Sequence, residues 1–249
     1  MNKTVEILGI PFSNMTLNET LIFLEKQINE ENSKLLHLIT INPEITINAQ
    51  SDLEFQKIVK EADLITADGI GIVLASKIKK DPIVERVTGF DLLQRLLQKG
   101  DRQGWSFYFL GTDEQINKNA VQQIEKHYPN VLIAGRHHGF FSKEEEPQII
   151  ESIKSASPDI LIVAMGAPYS DKWIYKYKEE LSKVKVVFGV GGSLDVIAGK
   201  VKATPEIWKK LNLEWLHRLI TVPVANGQKS RWLRQTAIPK FIFQVLKNK

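Results

Sequence analysis

The sequence predicts an α/β fold, a mainly parallel sheet with helices on both faces, and three observations predict it. Short apolar runs recur along the 249 residues: "VEILGI", "LLHLITIN", "DLITADG", "SFYFLGT", "VLIAGR", "DILIVAMGAP" and "VVFGVGG". Between them lie segments with an apolar residue every three to four positions and few breakers, the pattern of amphipathic helices. Strand alternating with helix implies βαβ units. Several runs also finish in small or polar residues at the same end, and in such sheets ligands bind beyond the carboxyl ends of the strands.

Each element can be justified in turn. "VEILGI" reads as the first strand and "NETLIFLEKQINEEN" as the first long helix. "LLHLITIN" is a buried strand closing on Thr40 and Asn42. In "DLITADGIGIV", Leu64, Ile65 and Ala67 form a strand that stops at Asp68-Gly69, where the chain turns into a helix starting near Ile70. "FDLLQRLLQKG" and "EQINKNAVQQIEKHYP" are helical and bracket "SFYFLGT", which ends on Gly111 and Thr112. "DILIVAMGAP" ends on Gly166 and Ala167, and "VVFGVGG" on Gly191 and Gly192, before a helix start.

Composition bounds the function. The chain is 43% hydrophobic and 25% charged, with no cysteine, which excludes disulfides, Cys-ligated zinc, iron–sulfur clusters and a thiol nucleophile, and fits a reducing cytoplasm. No signal peptide is read at the start, and no apolar run approaches the roughly 20 residues of a membrane span. The net charge of +4 is unevenly spread. From Lys200 onward there are 11 Lys and Arg against two acidic residues, a net +9, which leaves −5 for the first 199 residues. An acidic body with a basic tail suits an anionic surface, either phospholipid or nucleic acid. In that tail Trp208, Leu211, Trp215 and Leu219 share one helical stripe, which speaks for packing and against the exposed aromatics that stack on bases.

Several residues could carry chemistry, each beside a plainer reading. Asp68 could cap the following helix or sit in a turn. The glycines of "VVFGVGGSLDVIAGK" let backbone approach a ligand, and Asp195 could accept from a ribose or base, yet the spacing matches neither common phosphate-loop motif, so a plain tight turn stays open. Arg86 in "ERVTGFDLL" could clamp a phosphate or make a surface ion pair. His137 and His138 are adjacent, so on an extended segment they would point to opposite sides and could not chelate one ion. No metal motif is present, and no serine sits in a G-x-S-x-G elbow, which argues against an α/β-hydrolase.

Taken together, "LITINPEI", "LITADGIGIVLASK", "ERVTGFDLL", "FYFLGT", "RHHGFF", "LIVAMGAP", "DKWI", "GVGGSLDVIAGKVKATPEIWKKLNLEWLHRL" and the Arg-rich close resemble the WecG/TagA/CpsF glycosyltransferase family, in family order and over nearly the whole chain. The resemblance implies a Rossmann-like fold of the GT-E type over residues 1–200. It also implies a helical, basic appendage over 201–249 that covers the active site and meets the membrane; the tail's own charge and apolar stripe lead to the expectation that a chain truncated before Thr221 keeps a folded body. It implies an inverting, metal- and cofactor-free transfer of N-acetylmannosamine from UDP to undecaprenyl-diphosphate-linked GlcNAc, on the inner face of the cell membrane. Asp68 matches the family's base, Thr40 and Asn42 the pocket floor, and Arg86 a ligand of the leaving diphosphate. The glycine turn of Gly191 and Gly192 with Asp195 looks like the uridine nucleotide site, Gly111 and Gly166 are strand-end candidates for substrate binding, and Arg218, Arg231 and Arg234 match appendage arginines that meet the lipid diphosphate. The chain departs from the family pattern in two places. Ser170 stands where a glutamine is common, which leaves open another UDP-sugar, such as the uronic acid form or a hexose for exopolysaccharide or an enterobacterial-type antigen. Extra residues, "VANGQKS", precede Arg231. No nucleic acid is expected as partner, and whether copies form a homo-oligomer is left open.

Overall fold

A computed structural model gives the architecture and describes residues 3–202, 204, 205, 207, 208, 216 and 237–248. The chain opens with a hairpin, β1 (Thr4–Ile7) and β2 (Ile10–Ser13), paired antiparallel. Leu8 and Gly9, at φ 50° and 77°, form its two-residue turn, a left-handed pair whose twist suits a hairpin. "VEILGI" therefore folds back on "IPFS" instead of joining the parallel sheet.

The remaining elements are α1 (Leu17–Asn29), β3 (Leu36–Ile41), α2 (Pro43–Ser51), α3 (Leu53–Glu61), β4 (Leu64–Ala67), α4 (Ile70–Ile78), α5 (Gly89–Gln103), β5 (Ser106–Gly111) and α6 (Glu114–His127). Then come β6 (Leu132–His137), α7 (Glu146–Ala156), β7 (Ile160–Ala164), α8 (Tyr169–Lys176), β8 (Val186–Gly189), α9 (Ser193–Ile197) and, at the C-terminal end, α10 (Ala237–Lys247). The strands among them are separated by helices as the periodicity predicts, with two helices in succession between β3 and β4 and again between β4 and β5. Local chemistry fixes the boundaries. Thr16 and Glu19 make a reciprocal capping box at α1, and Asp52 and Asp113 accept from backbone N–H groups at the starts of α3 and α6.

Six strands form one all-parallel sheet in the order β4-β3-β8-β7-β5-β6. After β7 the chain passes to β8 on one side, and after β5 to β6 on the other. The crevice between β7 and β5 is thus a topological switch point. Alternate side chains serve opposite faces. Leu38, Phe109, Ile162 and Phe188 pack with Leu24, Leu96, Ala120 and Leu194 of α1, α5, α6 and α9. On the other face Leu110, Leu161 and Val187 meet Ile149 and Trp173 of α7 and α8. Ile39, Ile41, Ile65 and Ala67 meet the hairpin and α2 to α4, and α10 adds Phe241 and Val245 to that same cluster. Such side chains contribute about 1.5–3 kcal/mol each on burial, so α10 is held by the body's own core.

Candidate active site

Two polar clusters lie at the carboxyl ends of the strands. At the β3–β4 end, Asn42 is the N-cap of α2, its side-chain oxygen accepting from the Ile45 N–H at 2.9 Å, with Pro43 in the first turn. Thr40 lies half-buried two residues earlier. Asp68 follows β4 directly, and its backbone N–H donates to the Ile41 carbonyl at 2.9 Å, which carries the β3–β4 pairing one residue further. The cap position of α4 falls on Gly69 at φ 102°, so Asp68 is not the N-cap residue of that helix. A Cβ on Gly71 would stand 2.6 Å from the Pro43 ring, so glycine there lets the starts of α2 and α4 lie side by side.

Arg86 is brought in by the backbone. The Val87 N–H donates to the Ala67 carbonyl at 2.9 Å, so the segment carrying Arg86 runs along the end of β4 beside Asp68. Thr88 then caps α5, accepting from the Asp91 N–H at 3.1 Å and donating to the Asp91 carboxylate at 2.7 Å. A Cβ on Gly89 would lie 3.2 Å from the Thr40 hydroxyl and 3.5 Å from the Gly189 carbonyl oxygen, so the first turn of α5 sits over the ends of β3 and β8. Arg86 and Lys77 line an adjoining cleft of about 390 Å³ whose apolar wall includes Leu17, Ile70, Val73 and Val84.

The second cluster surrounds the β7–β5 crevice. Gly111, at φ 130°, approaches β7 so closely that a Cβ would stand 2.5 Å from the Ala164 carbonyl, which explains glycine there by packing alone. The Thr112 N–H donates to the Ala164 carbonyl at 2.9 Å, and the Gly139 N–H donates to the Thr112 carbonyl at 2.7 Å. Asn117, which sequence reasoning missed, ties these ends together: its buried amide donates to the carbonyls of Gly111 at 3.0 Å and His137 at 3.1 Å. Its only sequence signal was a polar residue on the apolar stripe of α6. Gly166 and Gly191 adopt φ 83° and 51°, conformations that favour glycine, and Gly191 and Gly192 are exposed. Asp195 is half-buried, 3.4 Å from Lys200, which also lies 3.8 Å from Asp113.

Two placements were not foreseen. Ser170 is enclosed, 2% exposed, its hydroxyl accepting from the Met165 N–H at 3.1 Å inside the loop after β7. The rings of His137 and His138 do not point apart: their centroids are 4.6 Å from each other, because β6 ends at His137 and strand alternation stops with it. Beside them Arg136 holds Glu114 through two bonds of 2.7 and 3.0 Å, and this hydrogen bonding keeps the Glu114 carboxyl below the usual carboxylate range. Buried beneath the sheet ends, His37 Nε2 lies 3.5 Å from Asp171 Oδ1, a pair the sequence did not announce. Among the described residues, no three His, Asp or Glu side chains converge as a metal site would require. Arg218, Arg231 and Arg234, together with Leu211, Trp215 and Leu219, lie outside the described residues.

Thr40, Asn42, Asp68 and Arg86 are therefore gathered at one end of the sheet's carboxyl edge. Gly111, Gly166, Gly191, Gly192 and Asp195 occupy the other, and the start of α5 bridges the two. Comparison with known proteins gives this arrangement its context. The sequence profile of the "Glycosyl transferase WecG/TagA/CpsF family" matches residues 5–249. The N-acetylglucosaminyldiphosphoundecaprenol N-acetyl-beta-D-mannosaminyltransferase of Bacillus spizizenii is 32% identical over 246 residues, 99% of this chain and 92% of that one. Its namesake in Bacillus subtilis (strain 168) is 33% identical over 98% of this chain and 92% of that one. The Staphylococcus aureus (strain MRSA252) enzyme of the same name is 31% identical over 98% and 93%. The chain belongs to the WecG/TagA/CpsF family of glycosyltransferases.

Proposed function

We propose that the protein transfers N-acetylmannosamine from UDP to GlcNAc-diphosphoundecaprenol with inversion at the sugar, the step that builds the linkage unit of wall teichoic acid. The observation that carries this reading is the position of Asp68. A carboxylate stands at the end of a parallel strand, outside the helix cap, next to the backbone segment that bears Arg86. An inverting transfer needs one base, not the pair of carboxylates a glycosidase uses. Asp68 takes the proton of the acceptor hydroxyl as its oxygen bonds to C1 of the donor sugar. The bond from C1 to the diphosphate oxygen breaks, and UDP leaves with the electron pair. The Arg86 guanidinium stabilises the charge that develops on the departing diphosphate, a task a metal ion performs in other transferases. Thr40 and Asn42 form the floor beneath the sugar, and the glycine-lined crevice with Asp195 holds the uridine nucleotide.

The acceptor side fits a lipid diphosphate. Arg86 and Lys77 provide cations in a cleft that also holds Glu85 and Asp91 beside its apolar wall, and Leu74 and Val84 are exposed. On α10, which packs against α2 and α4, Ile242, Phe243 and Leu246 are exposed between Lys240 and Lys247. Apolar side chains framed by lysines suit a headgroup boundary. Among the described residues, no helix is long and apolar enough to cross a membrane. In this proposal the chain works as a peripheral protein on the inner membrane face, with residues 1–200 as the catalytic body and 201–249 as the appendage whose Arg218, Arg231 and Arg234 meet the lipid diphosphate.

The test is a panel of UDP-sugars offered with synthetic GlcNAc-diphosphoundecaprenol. Formation of the lipid-linked disaccharide from UDP-N-acetylmannosamine, unchanged by EDTA, is the expected outcome. A product formed only from the uronic acid or a hexose donor reassigns the donor, and no lipid-linked product with any donor overturns the reading.

A further inference from the structure

The N-terminal hairpin stands outside the six-stranded sheet, yet the residues just after it are bonded to the segment that carries Arg86. Asn14 follows β2, and its own N–H donates to the Lys3 carbonyl at 2.9 Å, which carries the hairpin pairing one residue further. Its carboxamide reaches 68 and 70 residues along the chain. The side-chain oxygen accepts from the Val84 N–H at 2.8 Å, and the amide nitrogen donates to the Pro82 carbonyl at 3.2 Å. In the first turn of α1, the Leu17 N–H donates to the Glu85 carboxylate at 2.9 Å. Helix α4 holds the upstream end of the segment. The Ser76 hydroxyl accepts from the Ile83 N–H at 2.8 Å, and the Ser76 carbonyl from the Asp81 N–H at 3.1 Å.

These ties act on a segment with no regular structure of its own. Ile83 is buried with the hairpin and α4, and Val87 with α1 and α5. Between those two anchors Val84, Glu85 and Arg86 cross the end of the sheet, and Val84 and Glu85 are exposed. Core packing therefore fixes the ends of the span, and the bonds to Asn14 and Leu17 fix its middle. An asparagine suits the task because one short side chain offers a donor and an acceptor together, which here grip the backbone on both sides of Ile83. We infer that Asn14 is a positioning residue for Arg86, holding the backbone from which the guanidinium meets the leaving diphosphate, and that Glu85 adds a second tie. This rests on the transfer reading above and adds to it the residues that aim its cation. A misplacement of about 1 Å can lower a rate on the order of 10²-fold, so a bond made far from the reacting atoms still governs turnover.

Single-turnover transfer to GlcNAc-diphosphoundecaprenol, from the UDP-sugar that the donor panel identifies, tests the assignment in Asn14→Ala, Arg86→Ala and the double variant. Asn14→Ala should lower the rate about 10- to 100-fold, and in the Arg86→Ala background it should lower it no further, because the group it positions is gone. Independent losses that multiply overturn the proposal, as does a wild-type rate in Asn14→Ala. Gln50→Ala is the control for hairpin stability. It removes a bond of 3.0 Å from α2 to the Leu8 carbonyl at the far end of the same hairpin and should leave the rate unchanged. A loss there equal to that of Asn14→Ala would mean that the hairpin merely steadies the fold, which also overturns the proposal. Where Asn14→Ala does not fold, Glu85 carries the test. Glu85→Gln keeps an oxygen for the Leu17 N–H and should stay near wild type, whereas Glu85→Ala should fall about 3- to 10-fold. Equal rates in these two variants overturn the proposal. A wild-type chain that gives no lipid-linked product with any UDP-sugar defeats the transfer reading itself, a result seen before any variant is compared.

Discussion

At the β4–β3 end of the crevice, side chains able to move protons and bind phosphate are set by strand-end hydrogen bonds and helix caps. At the β7–β5 end the same edge of the sheet is shaped by glycines and a buried amide. The first end is backed by α2, α4 and the C-terminal α10 in one core cluster, the second by α7 and α8 in another. Chemistry and nucleotide binding thus rest on different cores joined by one sheet. Perturbing one core should leave the other end's function measurable.

The largest effect is expected at Phe241, 1% exposed in the cluster behind α2 and α4. Phe241→Ala should lower the unfolding free energy by about 3–5 kcal/mol in urea titration. Where the variant is still folded, transfer should fall further than UDP affinity. Equal losses would erase the distinction between the two ends. Truncation before Thr221 removes α10 altogether and should destabilise the body, which revises the view from sequence that the appendage can be cut away without harm to the fold. Next comes Arg86→Ala, expected to reduce turnover about 10²- to 10³-fold, as loss of a charge-stabilising donor does elsewhere. Rescue of this variant by magnesium would be consistent with the same role, whereas wild-type turnover without any cation would remove it. The smallest effect is expected at Ser170. Its Cβ lies 3.2 Å from where a Gly189 Cβ would be, so Ser170→Gln forces bulk into an enclosed loop and should destabilise by about 1–3 kcal/mol. A stable variant with altered donor kinetics would place residue 170 against the sugar.

The sheet was legible because its strands are near-continuous apolar runs that end on Asp68, Gly111, Gly166 and Gly191, and burial on both faces imposes that pattern. The hairpin was not, since "VEILGI" and the central strands look alike until Leu8 and Gly9 take left-handed conformations. Asp68 and Arg86 could be singled out as residue types suited to the chemistry. Their proximity could not, because it depends on the Val87 N–H meeting the Ala67 carbonyl 20 residues away in sequence. Gly111 illustrates the opposite case. The sequence pointed to it as a ligand neighbour, and the structure supplies a packing reason that would demand glycine with no ligand at all. Asn117 and His37 carry no local signature, because each acquires its meaning only from residues on other elements.

The central claim, that Asp68 is the base, is tested most directly by the single-turnover transfer rate of Asp68→Asn at saturating donor and acceptor. The amide keeps the shape of the side chain and removes its proton affinity, so the rate should fall about 10²- to 10⁴-fold while UDP binds as in the wild type. A wild-type rate in Asp68→Asn would contradict the account and return the aspartate to a purely structural place at the end of β4.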